Sequence, residues 1–311
     1  MDHISVMKGE SLELLQLEKG NTVVDATLGL GGHAIEMLKL IGESGRLIAF
    51  EQDERNLEEA KKRLADYGDR VVYVSENFRY LKNRIIGLGI DKIDAVFFDL
   101  GLSSPHVDEA DRGFSFMRQG PLDMRFDLRN SLTASDVINN YTEEELARVI
   151  YEYAEERKSR IISKRICERR KEKPFETTTE FAEYVEKIIP KKRSKKGASS
   201  HPATKIFQAI RMEVNDEVTV LKEALEGAYE MLEVGGRIVV LSYHSLEDTV
   251  VKKFFSSLLK PEVKPDEVLY KSFGDPKVEK MTKKPLVPSD QEVSQNSRSR
   301  SAKLRAYKKI Y

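Results

Sequence analysis

The 311-residue sequence predicts an α/β protein with a Rossmann-like, mostly parallel sheet and an inserted all-helical segment. Three observations predict it. Short β-branched runs alternate with helically spaced stretches over residues 1–100. That rhythm breaks at a stretch rich in Gly, Ser, Pro and Asp, Gly101–Asn130, after which several helical patterns follow with no strand among them. The alternation then resumes towards the C-terminus. Strands that alternate with helices imply βαβ units and a parallel sheet.

The strand candidates are Thr22–Ala26, Arg46–Phe50, Val71–Ser75 and Ala95–Phe98. Asn56–Leu64 between them has helical spacing. Val96–Phe98 and Ile238–Leu241 are continuous apolar runs, the pattern of strands buried on both faces. Thr142 followed by Glu143, Glu144 and Glu145 reads as an N-cap with an acidic first turn, leading into a helix through Ala154. Thr179 with Glu180, Phe181, Val185 and Ile188 reads as another helix, ended near Pro190. A long helix is expected over about Ala203–Leu232, then Gly235-Gly236, a strand Arg237–Ser242 and a helix Leu246–Leu259. A proline-bearing connector and a last strand within Ser301–Tyr311 close the chain. The expected division is a sheet domain of residues 1–110 and 206–311 around a helical, substrate-recognising insertion, 111–205.

Composition narrows the function classes. The single cysteine, Cys167, cannot form an internal disulfide or a Cys-rich metal site, which fits a reducing compartment. No His/Cys/carboxylate spacing suggests a metal site. No apolar run approaches the roughly 18–20 residues of a membrane helix, and the charged start MDHISVMKGE shows no signal peptide. A cytoplasmic protein is expected.

Val23–Ala34 reads as a strand, a glycine turn and a helix start. Glycines let the backbone turn tightly and approach a ligand, and the helix N-terminus offers free N–H groups. Dinucleotide enzymes use a related turn. Here the spacing is G-x-G-G, at Gly29, Gly31 and Gly32, without the third glycine of that fingerprint. Asp25 ends the first strand, where it could hold a cofactor ammonium, and Glu51 follows the second, where a carboxylate can accept from two ribose hydroxyls. Together these favour S-adenosylmethionine over NAD. The fourth strand runs into Asp99-Leu100-Gly101-Leu102-Ser103-Ser104-Pro105-His106. Ligands of open α/β sheets bind beyond the carboxyl ends of strands, so Asp99 could hold the cofactor or accept from a substrate amine. In the loop beyond, Phe114 and Phe116 lie near Arg112, Arg118 and Arg125. They could stack a splayed base and bind phosphate, or simply anchor a covering loop.

These residues carry a family likeness. His3–Glu10, GLGGHA at Gly29–Ala34, the long run Asp99–Asp127, His201–Asn215, SYHSLED at Ser242–Asp248 and Ser299–Ala306 resemble the RsmH (MraW) family of bacterial ribosomal RNA methyltransferases. They span nearly the whole chain in the family's order. The resemblance implies a class I S-adenosylmethionine-dependent methyltransferase fold with a helical insertion. It also implies N4-methylation of a cytosine in 16S rRNA at the decoding centre of the small ribosomal subunit. The family's cofactor positions carry over to Gly31, Gly32, His33, Glu51, Phe78, Asp99 and His106. The family commonly has Asp where Glu51 stands, which keeps the carboxylate, and Gln where His106 stands.

A cytosine amino group is a weak nucleophile, so its methylation needs alignment and acceptors that favour a pyramidal amine more than a strong base. Ser104 and His244 are the candidate catalytic partners, with backbone carbonyls around Asp99–Pro105. Tyr243 could stack on the target base or pack in the core. All five histidines, His3, His33, His106, His201 and His244, lie in the family segments, as shared ancestry alone would also give.

Lys+Arg and Asp+Glu both number 52, a formal charge of zero. Residues 1–150 hold 18 basic and 27 acidic side chains, a balance of −9, and residues 151–311 hold 34 and 25, a balance of +9. The basic residues cluster at Arg157–Lys173, Lys187–Arg211 and Val293–Tyr311, as phosphate neutralisation would need. The expected partner is 16S rRNA, bound by a monomer or homodimer. A DNA or protein methyltransferase, or a non-catalytic nucleotide-binding module, are the alternatives.

Overall fold

The computed structural model describes residues 5–189, 201–260 and 274–311. These form two compact units, Met1–Gly101 with Val218–Tyr311, and Leu102–Glu217.

The first unit contains a seven-stranded sheet. Its strands are β1 (Thr22–Asp25), β2 (Arg46–Phe50), β3 (Val71–Val74), β4 (Ile93–Leu100), β5 (Leu232–Ser242), β6 (Val278–Lys280) and β7 (Lys303–Lys309). The order is β3-β2-β1-β4-β5-β7-β6; β3 through β5 are parallel and β7 runs antiparallel to both neighbours. This is the class I methyltransferase arrangement that the sequence leads one to expect. The short β6, with only Val278 buried, carries no sequence signal of its own.

Strand periodicity divides the apolar side chains between two layers. Val24, Ile48, Val96, Phe98, Ile238 and Val240 face one core. That core is closed by α4 (Leu81–Gly87), α11 (Glu217–Met231) and α12 (Ser245–Leu259) through residues such as Leu81, Leu225 and Phe255. Val23, Leu47, Ala49, Ala95, Phe97, Val239 and Leu241 face the other. Here α1 (Lys8–Leu15), α2 (Gly32–Ile41) and α3 (Glu54–Arg63) cover the sheet with Leu15, Met37, Ile41 and Leu57. The strands must be continuous apolar runs because both faces are covered. A short helix, α13 (Asp290–Gln295), precedes β7.

The second unit is helical: α5 (Ser104–Asp108), α6 (Ala134–Asn140), α7 (Glu143–Ala154), α8 (Ser159–Arg170), α9 (Thr178–Ile188) and α10 (Ala203–Val214). Thr142 caps α7 as its sequence suggests, whereas α9 is capped by Thr177 rather than Thr179. The unit reaches beyond 111–205 at both ends. Its core takes Ala203, Ile206, Phe207, Ile210 and Val214 from α10, and Leu102 packs against that core.

The single helix expected over Ala203–Leu232 is two helices. Asp216 stands at φ 49 between α10 and α11. The Asn215 amide donates to the carbonyls of Met124 and Arg211, and its oxygen accepts from the Phe126 N–H. This tie ends α10, and spacing alone does not reveal it.

The long Gly101–Asn130 stretch is held by similar bonds. The Thr178 N–H donates to the Gly120 carbonyl at 2.9 Å, and the Gly120 N–H donates to the Thr178 hydroxyl at 3.1 Å. The Phe114 and Phe126 rings stack 5.2 Å apart, and Phe116 meets the Phe207 ring at 4.9 Å. These rings anchor the loop. A Cβ on Gly120 would stand 1.9 Å from the Ala110 carbonyl oxygen, so Gly120→Ala must displace backbone. The expected cost is about 2–3 kcal/mol in chemical denaturation. Gly87→Ala, with open space around the added methyl in α4, is expected to be neutral or to stabilise by up to about 1 kcal/mol.

Candidate cofactor and active site

The parallel order reverses between β1 and β4, the place where open α/β sheets bind ligands. Three carboxylates stand at strand ends there: Asp25 at the end of β1, Glu51 just after β2 and Asp99 near the end of β4.

The chain leaves β1 through the glycine turn. Gly29 and Gly31 adopt φ of 53° and 80°, and Gly31 is the N-cap of α2, whose first residues are Gly32 and His33. Positive φ favours glycine at both positions. Glu51 clasps the turn, for its Oε2 accepts from the Gly29 N–H at 2.9 Å and its Oε1 from the Asp53 N–H at 2.8 Å. Each oxygen retains acceptor capacity. Burial pushes the Glu51 carboxyl up to about 8, with the Asp53 charge adding to it against the hydrogen bonds that favour ionisation.

Asp25 is fully buried. Its Oδ1 accepts from the Thr27 N–H at 3.1 Å, and its Oδ2 has no hydrogen-bond partner among the described residues. Burial first, with the nearby Asp99 charge adding, raises its pKa to about 7 against the Thr27 hydrogen bond. The Thr27 hydroxyl accepts from the Asp99 N–H at 2.6 Å and ties the exits of β1 and β4 together. Asp99 Oδ1 accepts from the Tyr243 hydroxyl at 2.7 Å, and Oδ2 lies 3.6 Å from His33 Nε2. Burial raises Asp99 to about 6; the Tyr243 hydrogen bond opposes the rise and the Glu247 charge adds to it. The His33 ring lies against Phe97, 4.6 Å between centroids. Phe78, in the turn after β3, meets the Phe98 ring edge-on at 5.8 Å, and the neighbouring Asn77 donates to Gln52 at 2.8 Å.

His244 is the N-cap of α12. Its Nδ1 accepts from the Glu247 N–H at 3.3 Å, and its Nε2 stands 2.9 Å from Glu247 Oε1. Ser104 and His106 belong to the other unit. Ser104 opens α5. His106 is buried, with Nδ1 facing the Ser103 N–H at 3.2 Å and the Ser103 hydroxyl at 2.9 Å, and its ring is about 5 Å from both Phe114 and Phe126.

The structure thus brings Gly31, Gly32, His33, Glu51, Phe78, Asp99 and His244 into the sheet unit, and places Ser104 and His106 in the helical one. Sequence reasoning missed the Thr27 hydroxyl, the Gln52–Asn77 bond and the Tyr243–Asp99 bond. Only the position of each residue at a strand exit could have signalled them.

The model of the MraW methylase family matches residues 1–310. The chain belongs to the MraW methylase family. A curated relative from Carboxydothermus hydrogenoformans, "Ribosomal RNA small subunit methyltransferase H", is 47% identical over 99% of this chain and 98% of its own. Solved structures with a lower likeness include an rRNA methylase from Streptococcus thermophilus and an O-methyltransferase from Thermotoga maritima. The first is 15% identical with a TM-score of 0.42, covering 98% of this chain and 94% of that one. The second is 12% identical with a TM-score of 0.42, covering 100% and 68%.

The MraW methylases are S-adenosylmethionine-dependent enzymes, and this chain's residues fit that cofactor. A sulfonium and an ammonium suit a site whose Asp25 and Asp99 carboxyls are raised by burial and whose Asp25 Oδ2 is buried without a hydrogen-bond partner among the described residues.

The raised acids set the sign of the pH dependence. The folded apoprotein holds protons that the unfolded chain, with carboxyls near 4, has already lost. These groups therefore penalise folding progressively from about pH 4 to pH 8. A cationic ligand favours the ionised forms. S-adenosylmethionine affinity is expected to rise between pH 6 and 8 with proton release, which calorimetry in buffers of different ionisation enthalpy would read. Asp25→Asn is expected to stabilise the apoprotein at pH 8 by about 1–3 kcal/mol and to weaken the cofactor.

Proposed function

We propose that this MraW methylase transfers the methyl group of S-adenosylmethionine to the exocyclic N4 of a cytosine in 16S rRNA, at the decoding centre of the small ribosomal subunit. The observation that carries the substrate is the full-length, 47% identical relative named for the small-subunit ribosomal RNA. The proposed setting is the cytoplasm, with the enzyme acting as a monomer or homodimer. No helix among the described residues is long and apolar enough to cross a membrane.

Residue roles follow from chemistry. Glu51 offers acceptors to ribose hydroxyls, Phe78 an aromatic edge to the base, and Gly31, Gly32 and His33 the start of α2. Asp99 holds cofactor or amine through Oδ2, since Oδ1 is taken by Tyr243. His106 is a cofactor contact by resemblance; its Nδ1 also serves the cap of α5. The bound cofactor supplies a methyl group on a sulfonium, electrophilic enough for direct attack by an amine. The chain's task is to orient that amine, with acceptors along Asp99–Pro105 favouring its pyramidal form and the proton leaving after transfer. Ser104 and His244 are the side chains proposed to touch it.

The helical unit supplies cations suited to phosphate. In the Arg157–Lys173 cluster, Arg157, Lys158, Arg160, Lys164, Arg165, Lys171 and Lys173 are exposed. Arg169 instead pairs with Glu180 at 2.7 Å, and Arg170 donates to the carbonyls of Ile138 and Tyr141. The run Lys191–Lys196 lies outside the described residues. In the tail, Arg305 binds Asp248 and Lys309 binds the carbonyls of Tyr229 and Leu232, so part of that charge serves the fold.

Radiolabelled methyl transfer to small subunits, naked 16S RNA, DNA and protein, followed by nucleoside mass spectrometry, tests the function. N4-methylcytidine in an RNA sample is expected, and its absence from all of them would reject the proposal. His244→Ala and Ser104→Ala should each lower turnover at least about tenfold with S-adenosylhomocysteine affinity preserved, a loss of about 1.4 kcal/mol in transition-state binding. The triple change of Arg160, Lys164 and Arg165 to Gln should weaken RNA binding and flatten its salt dependence by about two to three in slope. An unchanged slope would remove this cluster from the interface.

A further inference from the structure

Tyr243 stands one residue beyond β5, where Leu100 of β4 pairs with Ser242. Its ring folds over Gly101, the residue after β4. A Cβ built on Gly101 would lie 2.8 Å from Tyr243 Cε2 and 3.2 Å from Cδ2, so only glycine lets the ring lie there. From that position the hydroxyl reaches back two residues along the neighbouring chain and donates to Asp99 Oδ1 at 2.7 Å. The backbone is fixed as well. Glu247, buried in the first turn of α12, accepts from the Tyr243 N–H at 2.8 Å and the His244 N–H at 3.2 Å through one oxygen.

We infer that Tyr243 is the positioning residue of the Asp99 carboxylate: it pins Oδ1 and turns Oδ2 towards the ligand side shared with His33. This deepens the proposed role of Asp99 and rests on that role. Base stacking and simple core packing both leave the phenol oxygen idle, whereas here it makes a short bond to a half-buried acid. The phenol is a dependable donor, because burial and the neighbouring Asp99 charge push its own ionisation well above 10. The titratable groups facing Asp99 and Tyr243 are Asp25 from β1, His33 from α2, Glu247 from α12 and Glu292 from α13. All but His33 are acids, which oppose ionisation of Asp99; the Tyr243 hydrogen bond favours it.

The test uses the full chain with S-adenosylhomocysteine binding followed from pH 5 to 9. Tyr243→Phe keeps the ring on Gly101 and removes only the hydroxyl. It is expected to melt within a few degrees of the parent and to shift the acid limb of the affinity profile upward by about one unit, binding about tenfold more weakly at pH 5 and about twofold more weakly at pH 7. Asp99→Asn is expected to lose that limb, and the double variant to bind no worse than Asp99→Asn alone, since the hydroxyl acts through the carboxylate. Gly101→Ala, which displaces the ring, should reproduce the shifted limb. A Tyr243→Phe profile that superimposes on the parent, or losses that add in the double variant, would overturn the inference and leave the role of Asp99 standing. Parental affinity in Asp99→Asn would overturn that role and the inference with it.

Discussion

The constraint on which the sheet unit depends is that three carboxylates are kept at the ends of parallel strands, Asp25 buried and Glu51 and Asp99 half-buried. Open parallel sheets bind ligands beyond the carboxyl ends of their strands at the switch point, and Asp25, Glu51 and Asp99 stand at those strand ends. Desolvation raises all three acids. The fold answers with local donors: the N–H groups of Thr27, Gly29 and Asp53, and the Tyr243 hydroxyl. Each donor comes from a turn or strand exit, so the geometry of the turns and the charge state of the acids are one problem. The glycine turn is as much the donor to Glu51 as the approach route for a cofactor.

Most of the sheet was legible in the sequence because burial on both faces forces continuous apolar runs, and β1, β2, β3, β4 and β5 follow from them. The carboxylates were legible because strand exits are few and an acid there is conspicuous. What escaped was set by contacts between segments distant in sequence. Asn215 ends α10 by binding Met124 and Phe126, some ninety positions away, so helical spacing alone ran through the break. Tyr243 reaches Asp99 across 144 positions, and its ring rests where Gly101 lacks a side chain. Neither fact exists in any local window.

Charge shows a similar division between composition and use. The basic half carries three clusters of the kind that suit a polyanion. Arg169, Arg170, Arg305 and Lys309 instead hold helix ends and strand edges together, while seven other cations of Arg157–Lys173 are exposed. Guanidinium groups that bridge carbonyls have traded solvation for structure, and counterion release cannot be drawn from them. The number of surface charges in a cluster therefore overstates its reach for RNA unless the internal pairs are subtracted.

The histidines point to a different economy. His106, His201 and His244 each turn Nδ1 towards a backbone N–H at the start of a helix: Ser103 for α5, Ala203 for α10 and Glu247 for α12. An imidazole nitrogen that accepts from a backbone N–H offers its lone pair there, so each cap uses Nδ1 and leaves Nε2 as the ring's other polar atom. The same ring can then cap with one nitrogen and present a donor with the other. In His244 that donor stands beside Glu247, which also fixes the Tyr243 backbone that serves Asp99. Position in a family segment alone could not separate structural from chemical histidines. The cap geometry divides the two uses within one ring: Nδ1 serves the helix start, and Nε2 is the nitrogen left to meet another group.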